Sequence, residues 1–264
     1  MILLDAFPIW VIFVGMVGVV LVAAEIGFRI GIWMQDRNPI PGETRITGTV
    51  VAGMLSLLAF LMAFSTGVVL NQQGDRRAMV VEEANAIGTA WLRAGFLTEP
   101  DRSSSRALLK EYTEIRLQAA TDSTRMAAAV ARSEQIQDEL WAIMEKNVKA
   151  GNVSDVMALV IESINSVIDV HSLRLTAGER RLPTLYGLLL IGTTILSFLM
   201  VGAASSSDRK RDTDAMVIFA LVFVAVLIIV VDLDRSQEGM LTVNQAAMSD
   251  LLRQMTTPGH QGQH

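Results

Sequence analysis

The chain has 264 residues, 51% of them hydrophobic, and a mean hydropathy of +0.41, an apolar excess that a soluble domain of this length does not carry. Its formal net charge is −5, so no global basic surface offers a nucleic acid a binding face. There is no cysteine, which excludes disulfides, cysteine-ligated zinc, iron–sulfur clusters and thiol catalysis. Six prolines and 6% aromatic residues suit a helical protein better than a β-barrel.

The first apolar run spans about Phe7 to Trp33. No basic segment and small-residue cleavage site frames it, so it reads as a retained helix rather than a signal peptide. The link "RNPIPGETR" follows, where Pro39 and Pro41 bar a continuous helix. A second apolar run covers Thr47 to Leu70. Both runs reach the roughly 20 residues that a bilayer requires, and in lipid only a helix satisfies its own backbone. Ala59, Ala63 and Gly67 form a small-residue stripe on the second, while Ser56, Phe60, Phe64 and Val68 repeat every fourth position beside it. Small stripes let membrane helices approach closely. Stacked apolar rings in an oligomer form constrictions that gate by dewetting; the competing reading is ordinary packing or contact with lipid.

A polar stretch runs from Asn71 to Pro183. Pro100, in "FLTEPDRSSSR", marks a break and a new helix start. Leu108, Tyr112 and Ile115 recur at helical spacing, as do Ile136, Leu140, Ile143 and Met144, then Val156, Val160, Ile164, Val167 and His171. "KAGNVSD" reads as a turn, with Asn152 or Ser154 as N-cap. About four helices with one apolar stripe each are expected, and an antiparallel bundle buries such stripes. Two further apolar runs follow, Leu185–Ala204 and Ala215–Val231, joined by "SSSDRKRDTD". Met240 to Val243 reads as a short extended piece, Ala246 to Met255 as an amphipathic helix, and "TTPGHQGQH" as a disordered tail.

The expected fold is therefore an all-α membrane protein, with four transmembrane helices in two hairpins and a soluble helical bundle between helices two and three. The expected divisions are residues 1–70, 71–183, 184–232 and 233–264. Arg29, Arg37, Arg45, Arg209, Lys210 and Arg211 lie in or beside the short links, against Arg76, Arg77, Arg180, Arg181 and Arg235 on the other face. Basic residues in short links weigh most, which places the links in the cytoplasm and the bundle, with both termini, outside.

No glycine-rich phosphate loop, HExxH or nucleophile elbow is present. Of three histidines, His260 and His264 fall in the tail, and His171 sits on an apolar stripe, as a core histidine rather than a metal ligand or base. No catalytic residue, cofactor or metal is expected. Glu25 lies in the first membrane helix, and an intramembrane acid is a candidate functional group. Arg29, one turn on, offers the plainer reading of an i,i+4 ion pair. At the membrane exit, Arg76, Arg77, Glu82, Glu83 and Asn85 cluster ahead of small stripes formed by Ala86, Ala90 and Ala94 and by Ala84 and Gly88. They read as a vestibule ring, or as a solvated helix start with local ion pairs worth about 0–1 kcal/mol each.

The stretch "LLAFLMAFSTGVVLNQQGDRRAMVVEEANAIGTAWLRAGFLTEPDR" resembles the signature of the bacterial bestrophin-like domain proteins, and "DLDRSQEGMLTVNQAAMSDLLRQM" resembles their second signature. With the helix layout, the resemblance covers nearly the whole chain. A more distant similarity leads to the bestrophins, pentameric anion channels whose second membrane helix lines the pore. Ser56, Phe60 and Phe64 match the neck positions, although serine departs from the bulky pattern. Arg76 and Arg77 resemble the basic part of the following cluster, but its tryptophans are absent and the spacing is a turn longer. No acidic calcium clasp like that of the animal proteins is recognisable. Bestrophins also hold their soluble region in the cytosol, opposite to the charge reading.

The resemblance implies a homo-oligomeric channel for inorganic ions such as chloride, embedded in lipid. Phe60 and Phe64 would form its constriction, and Arg76 and Arg77 would favour anions at its mouth. The alternative is a non-conducting membrane sensor or interaction protein working through its bundle. A membrane enzyme ranks last.

Overall fold

The structure is a computed structural model, and it describes residues 7–37, 48–206, 213–235 and 243–257. Among these residues eight α-helices occur and no strand. They are α1 (Ile9–Arg37), α2 (Gly48–Arg93), α3 (Asp101–Thr121), α4 (Met126–Lys149), α5 (Asp155–Glu179), α6 (Thr184–Ser205), α7 (Thr213–Asp234) and α8 (Ala246–Thr256). Both inter-helix links of the apolar pairs, the residues before Val243 and the end of the tail fall wholly or largely outside the described residues. Arg45, Arg209, Lys210 and Arg211, on which the sidedness reading rests, lie there too.

The helices form two compact units, one from residues 1–71 and 181–241, the other from 72–180 and 242–264. Helix α2 belongs to both. Its 46 residues are more than twice the roughly 20 that a bilayer crossing requires. Five helices are long and apolar enough to cross a membrane: α1, α2, α5, α6 and α7. Helix α5 has the lowest mean hydropathy of the five, 1.4 against 2.1–3.2.

In the first unit α1 packs chiefly on α6 and α7. Its main neighbour is thus α6, from far along the chain, rather than α2 at the other end of a short link. Glycine is the reason. A Cβ added at Gly27 collides with the Leu199 carbonyl, and one added at Gly202 collides with that of Ala24. Gly31, one turn after Gly27, faces Ala203 and Ser206 in the same way. Backbones meet directly, the geometry that small residues four apart permit. The outer side of α1 exposes Val14, Val19, Val22, Ile26 and Ile30 between Trp10 and Trp33. Those two tryptophans stand about 35 Å apart along the helix, the spacing of the two aromatic belts of a bilayer. Asp234, at the end of α7, accepts a hydrogen bond from the Leu182 amide at 2.7 Å and so ties the end of α7 to the start of α6.

In the second unit the apolar stripes converge as periodicity predicts, except that Val156, read as the first member of the α5 stripe, is exposed and Met157 is buried in its place. Val80, Ala84, Ile87 and Ala90 of α2 meet Leu109 and Tyr112 of α3, Ile136, Leu140 and Met144 of α4, and Met157, Val160, Ile164 and Val167 of α5. Helix α8 completes this core with the fully buried Met248, and Leu251 rests against Gly88. The turn between α4 and α5 carries Gly151 at φ 90°, a left-handed conformation suited to glycine. Ser154 then caps α5, its hydroxyl accepting from the Met157 amide at 3.2 Å. Polar ties hold α3 against α4: Asp101 accepts from Lys146 Nζ at 2.8 Å and Asn147 Nδ2 at 2.7 Å, while Arg132 grips both carboxylate oxygens of Glu111 at 2.8 and 3.0 Å.

The glycine crossing gives a direct test. Gly27→Leu or Gly202→Val forces α1 away from α6 and is expected to cost about 1–3 kcal/mol, the usual range for overpacking. Gly15→Leu, where an added Cβ meets nothing within 4 Å, is expected to be near neutral. Thermal unfolding in detergent measures the difference.

Candidate functional site: the outer face of α2 and the carboxylate behind it

Within the first unit α2 buries Leu58, Met62, Ser65 and Val69. Ser65 returns its hydroxyl proton to the Leu61 carbonyl at 2.5 Å, so this buried polar group is satisfied within the helix. The opposite face is left open. Phe60 is 66% and Phe64 54% exposed, Ser56 is exposed, and Val68 is half-buried. Ala59, Ala63 and Gly67, the small-residue stripe, are exposed as well.

This outer face continues down the same helix. Asn71, Gly74, Asp75, Ala78, Glu82, Asn85 and Thr89 are exposed. At 100° per residue, Glu82 and Asp75 lie about 40° and 60° from the line of Ala78. Arg77 is also exposed, but it points about 100° away on the same count. The charges that share this face of the second unit are therefore acidic.

Arg76 and Glu83 turn to the other side. Arg76 is buried and donates from Nε to the Ala177 carbonyl at 3.3 Å and from Nη2 to the Arg180 carbonyl at 2.6 Å. It secures the end of α5. Glu83 is 0% exposed. The local ion pairs among Arg76, Arg77, Glu82 and Glu83 that a solvated helix start predicts do not form for Glu83, because its partners come from other helices. Its Oε1 accepts from Arg116 Nε at 3.0 Å and from the Tyr112 hydroxyl at 2.8 Å, and its Oε2 accepts from Arg174 Nη1.

A second layer surrounds the carboxylate. The Tyr112 oxygen lies 3.0 Å from His171 Nδ1. With the phenol proton directed at Glu83, Nδ1–H of His171 is the donor to that oxygen, which fixes the tautomer. His171 is thus a core histidine, as its place on the stripe predicts. Arg174 Nη2 donates to Gln245 Oε1 at 3.1 Å, just ahead of α8. One carboxylate on α2 so organises side chains from α3, α5 and the start of α8. Burial pushes the Tyr112 phenol up to about 12, against the opposing pull of Arg116. It remains a neutral donor at any ordinary pH. Among the described residues no group of three or more His, Cys, Asp or Glu could hold a metal ion.

Sequence reasoning named Glu83 without its partners. Arg116 and Arg174 were legible in one respect: each stands on a stripe that is otherwise apolar, four residues after Tyr112 and three after His171. A charge at such a position signals a buried counter-charge. Glu25 pairs with Arg29 Nε at 2.7 Å, one turn along α1, in the i,i+4 geometry.

These features define an all-helical, multi-pass membrane protein with a bundle attached. The chain belongs to the bestrophin-like domain family, whose model matches residues 14–248. Its fold is that of a bacterial bestrophin homolog from Klebsiella pneumoniae, with a TM-score of 0.67 over 90% of this chain and 96% of that one, at 13% identity. A point mutant of that homolog matches at TM-score 0.69, 14% identity and 92% and 97% coverage. A structure described as a membrane protein carrying a proline-to-alanine change matches at TM-score 0.69, 13% identity, over 91% and 97%. No curated protein matches the sequence.

Two outcomes are expected here. Glu83→Ala strands two arginines without their counter-charge and should cost about 3–5 kcal/mol, as breaking a buried pair does. Glu111→Ala, whose partner Arg132 is a third exposed, should cost at most about 1 kcal/mol; chemical unfolding of both variants compares them. For Tyr112, the folded phenol titrates above the unfolded value, so its contribution to stability is complete below pH ~10. That contribution is lost as pH rises through about 12. The tyrosinate absorbance of the folded protein should match that of Tyr112→Phe until then.

Proposed function

We propose that the chain is an oligomeric ion channel in which the outer face of α2 lines the pore. Four helices, α1, α2, α6 and α7, cross the membrane in this reading, and α5 stays with the bundle. Its apolar stripe is already spent on the bundle core, and its remaining surface carries Glu162, Asn165 and Asp169. A lipid-facing helix does not tolerate that many polar groups. The three-part division of membrane pair, bundle and membrane pair follows, with α8 joined to the bundle.

The observation that carries the reading is the exposed face of one continuous helix. It is aromatic at Phe60 and Phe64 and then polar from Asn71 to Thr89. Within that face Phe64 makes one tilted ring contact with Tyr186, centroids 6.1 Å apart, and the small-residue stripe beside it suits a neighbouring subunit. Around a symmetry axis, Phe60 and Phe64 become stacked apolar rings with Ser56 above and Val68 below. Asp75, Glu82 and Asn85 become polar rings at the exit. Each ring repeats one charge in every subunit, which makes a local field of several.

The anion preference implied by the bestrophin resemblance depends on Arg76 and Arg77 meeting the ions. Arg76 is engaged with two carbonyls and Arg77 leaves the acidic face. The acidic rings favour cations, and we assign the channel to small monovalent cations.

Purified protein in liposomes is expected to conduct, with cations more permeant than anions. Phe64→Ala should widen the constriction and raise unitary conductance, and Glu82→Gln should lower the cation preference. Well-folded oligomer that stays silent at all voltages and pH values would refute the channel. Recovery of a stoichiometric partner protein by such silent protein would favour the sensor.

A further inference from the structure

We propose that the bundle holds one monovalent anion of the halide class between α3 and α4, bound by the Nη groups of Arg116, the Ser133 hydroxyl and the Gln137 amide. The inference concerns the second unit alone and does not depend on the channel reading. It starts from charge. Among the described residues, Glu83 is the one carboxylate that pairs with Arg116 or Arg174. The side chains of Glu83, Arg116 and Arg174 are 0%, 4% and 14% exposed. One negative charge therefore meets two positive ones where little water reaches. A buried charge without its counter-charge is costly, and an excess of one is met by one monovalent anion.

Donors without acceptors stand in the same layer. Glu83 takes Nε of Arg116, and the two Nη groups of that side chain have no acceptor among the described residues. Helices α3 and α4 run antiparallel, with Asp101 bonded to Asn147 at one end and Glu111 to Arg132 at the other. Counted from Asp101 and Asn147, Tyr112 falls level with Gln137 and Arg116 with Ser133, to within about one residue. Gln137 is close enough to Tyr112 to draw the phenol's pKa down against the effect of burial. Ser133 is 0% and Gln137 7% exposed. Neither Ser133 Oγ nor Gln137 Nε2 has a hydrogen-bond partner among the described residues. Buried polar groups are rarely left unbonded, so a guanidinium edge, a hydroxyl and an amide in one layer point to a shared acceptor. Water would accept from them and leave the positive excess in place. A halide accepts from any direction, which suits donors that come from two helices.

The test is thermal unfolding of the full chain in detergent, in sodium bromide against sodium gluconate at equal ionic strength. Bromide is expected to raise the midpoint saturably, because a ligand that binds only the folded state stabilises it. Gluconate is too large for a buried site and should not. Ser133→Ala separates a bound anion from a general salt effect. In gluconate, loss of an unpaired buried hydroxyl should leave the midpoint unchanged or raised. In bromide the same variant should need about tenfold more salt for the same shift, the loss of one hydrogen bond to a charged acceptor. Gln137→Met, of similar size, should behave alike and provides a second reading. Crystals grown in bromide should show anomalous density between Arg116 and Ser133. A bromide response no larger than that of gluconate, or one that both variants retain in full, overturns the inference. So does a water molecule without anomalous signal at that position.

Discussion

A carboxylate with no access to water has to be met by hydrogen bonds and opposite charge, and at Glu83 that requirement fixes the rotation of α2. Its oxygens accept from Tyr112, Arg116 and Arg174, so the helix cannot turn about its axis without stranding three buried polar groups. Once Glu83 faces inward, Glu82 and Asn85 face outward. Asp75 and Ala78 share that outward side of the second unit. The face assigned to the pore is thus defined by what the opposite side of the helix must bury.

The energetic contrast between sites follows from solvent. The pairs Glu25–Arg29, Glu145–Lys149 and Asp250–Arg253 are exposed neighbours on one helix, and such pairs contribute little. Glu83 and its arginines carry a desolvation cost that is offset only while every member is present. That makes the cluster a poor source of net stability and a strong source of uniqueness. Through Gln245 it also brings α8 onto the bundle, where Met248 and Leu251 add apolar contact. The first unit achieves its uniqueness by a different route. There, glycine removes side chains so that α1 and α6 meet backbone to backbone, and dispersion forces operate at the shortest distance available.

The chain belongs to the bestrophin-like domain family and shares the fold of a bacterial bestrophin homolog, which supports the channel proposed for it. The side chains set the terms. Arg76 looks, by position, like a charge at a pore mouth, but it terminates α5 by binding carbonyls. Acidic and amide side chains, Asp75, Glu82 and Asn85, are exposed on this stretch of α2 instead. Selectivity, on this view, depends on which of several adjacent charges the helix rotation turns outward.

Much was determined by sequence alone. Hydrophobic length marked α1, α6 and α7 to within a few residues, and the start but not the end of α2, which runs on past Leu70 to Arg93, because a bilayer imposes both a minimum span and a helical backbone. Period-3.6 stripes located the bundle helices, and turn residues located the break at Pro100 and a cap at Asn152 or Ser154, of which Ser154 is the one that forms, since each is a local property of the chain. His171 as a core residue was legible for the same reason. Tertiary structure alone decided the rest. A helical stripe does not name its partner, so α1 against α6 and α8 within the bundle were not legible, nor was the engagement of Glu83 with Arg116 and Arg174 across gaps of 33 and 91 positions. Arg76 and Glu83 differ from Arg77 and Glu82 by a single residue each, about 100° of rotation. Composition cannot tell which of two adjacent charges is buried, because that depends on where other helices place the counter-charge.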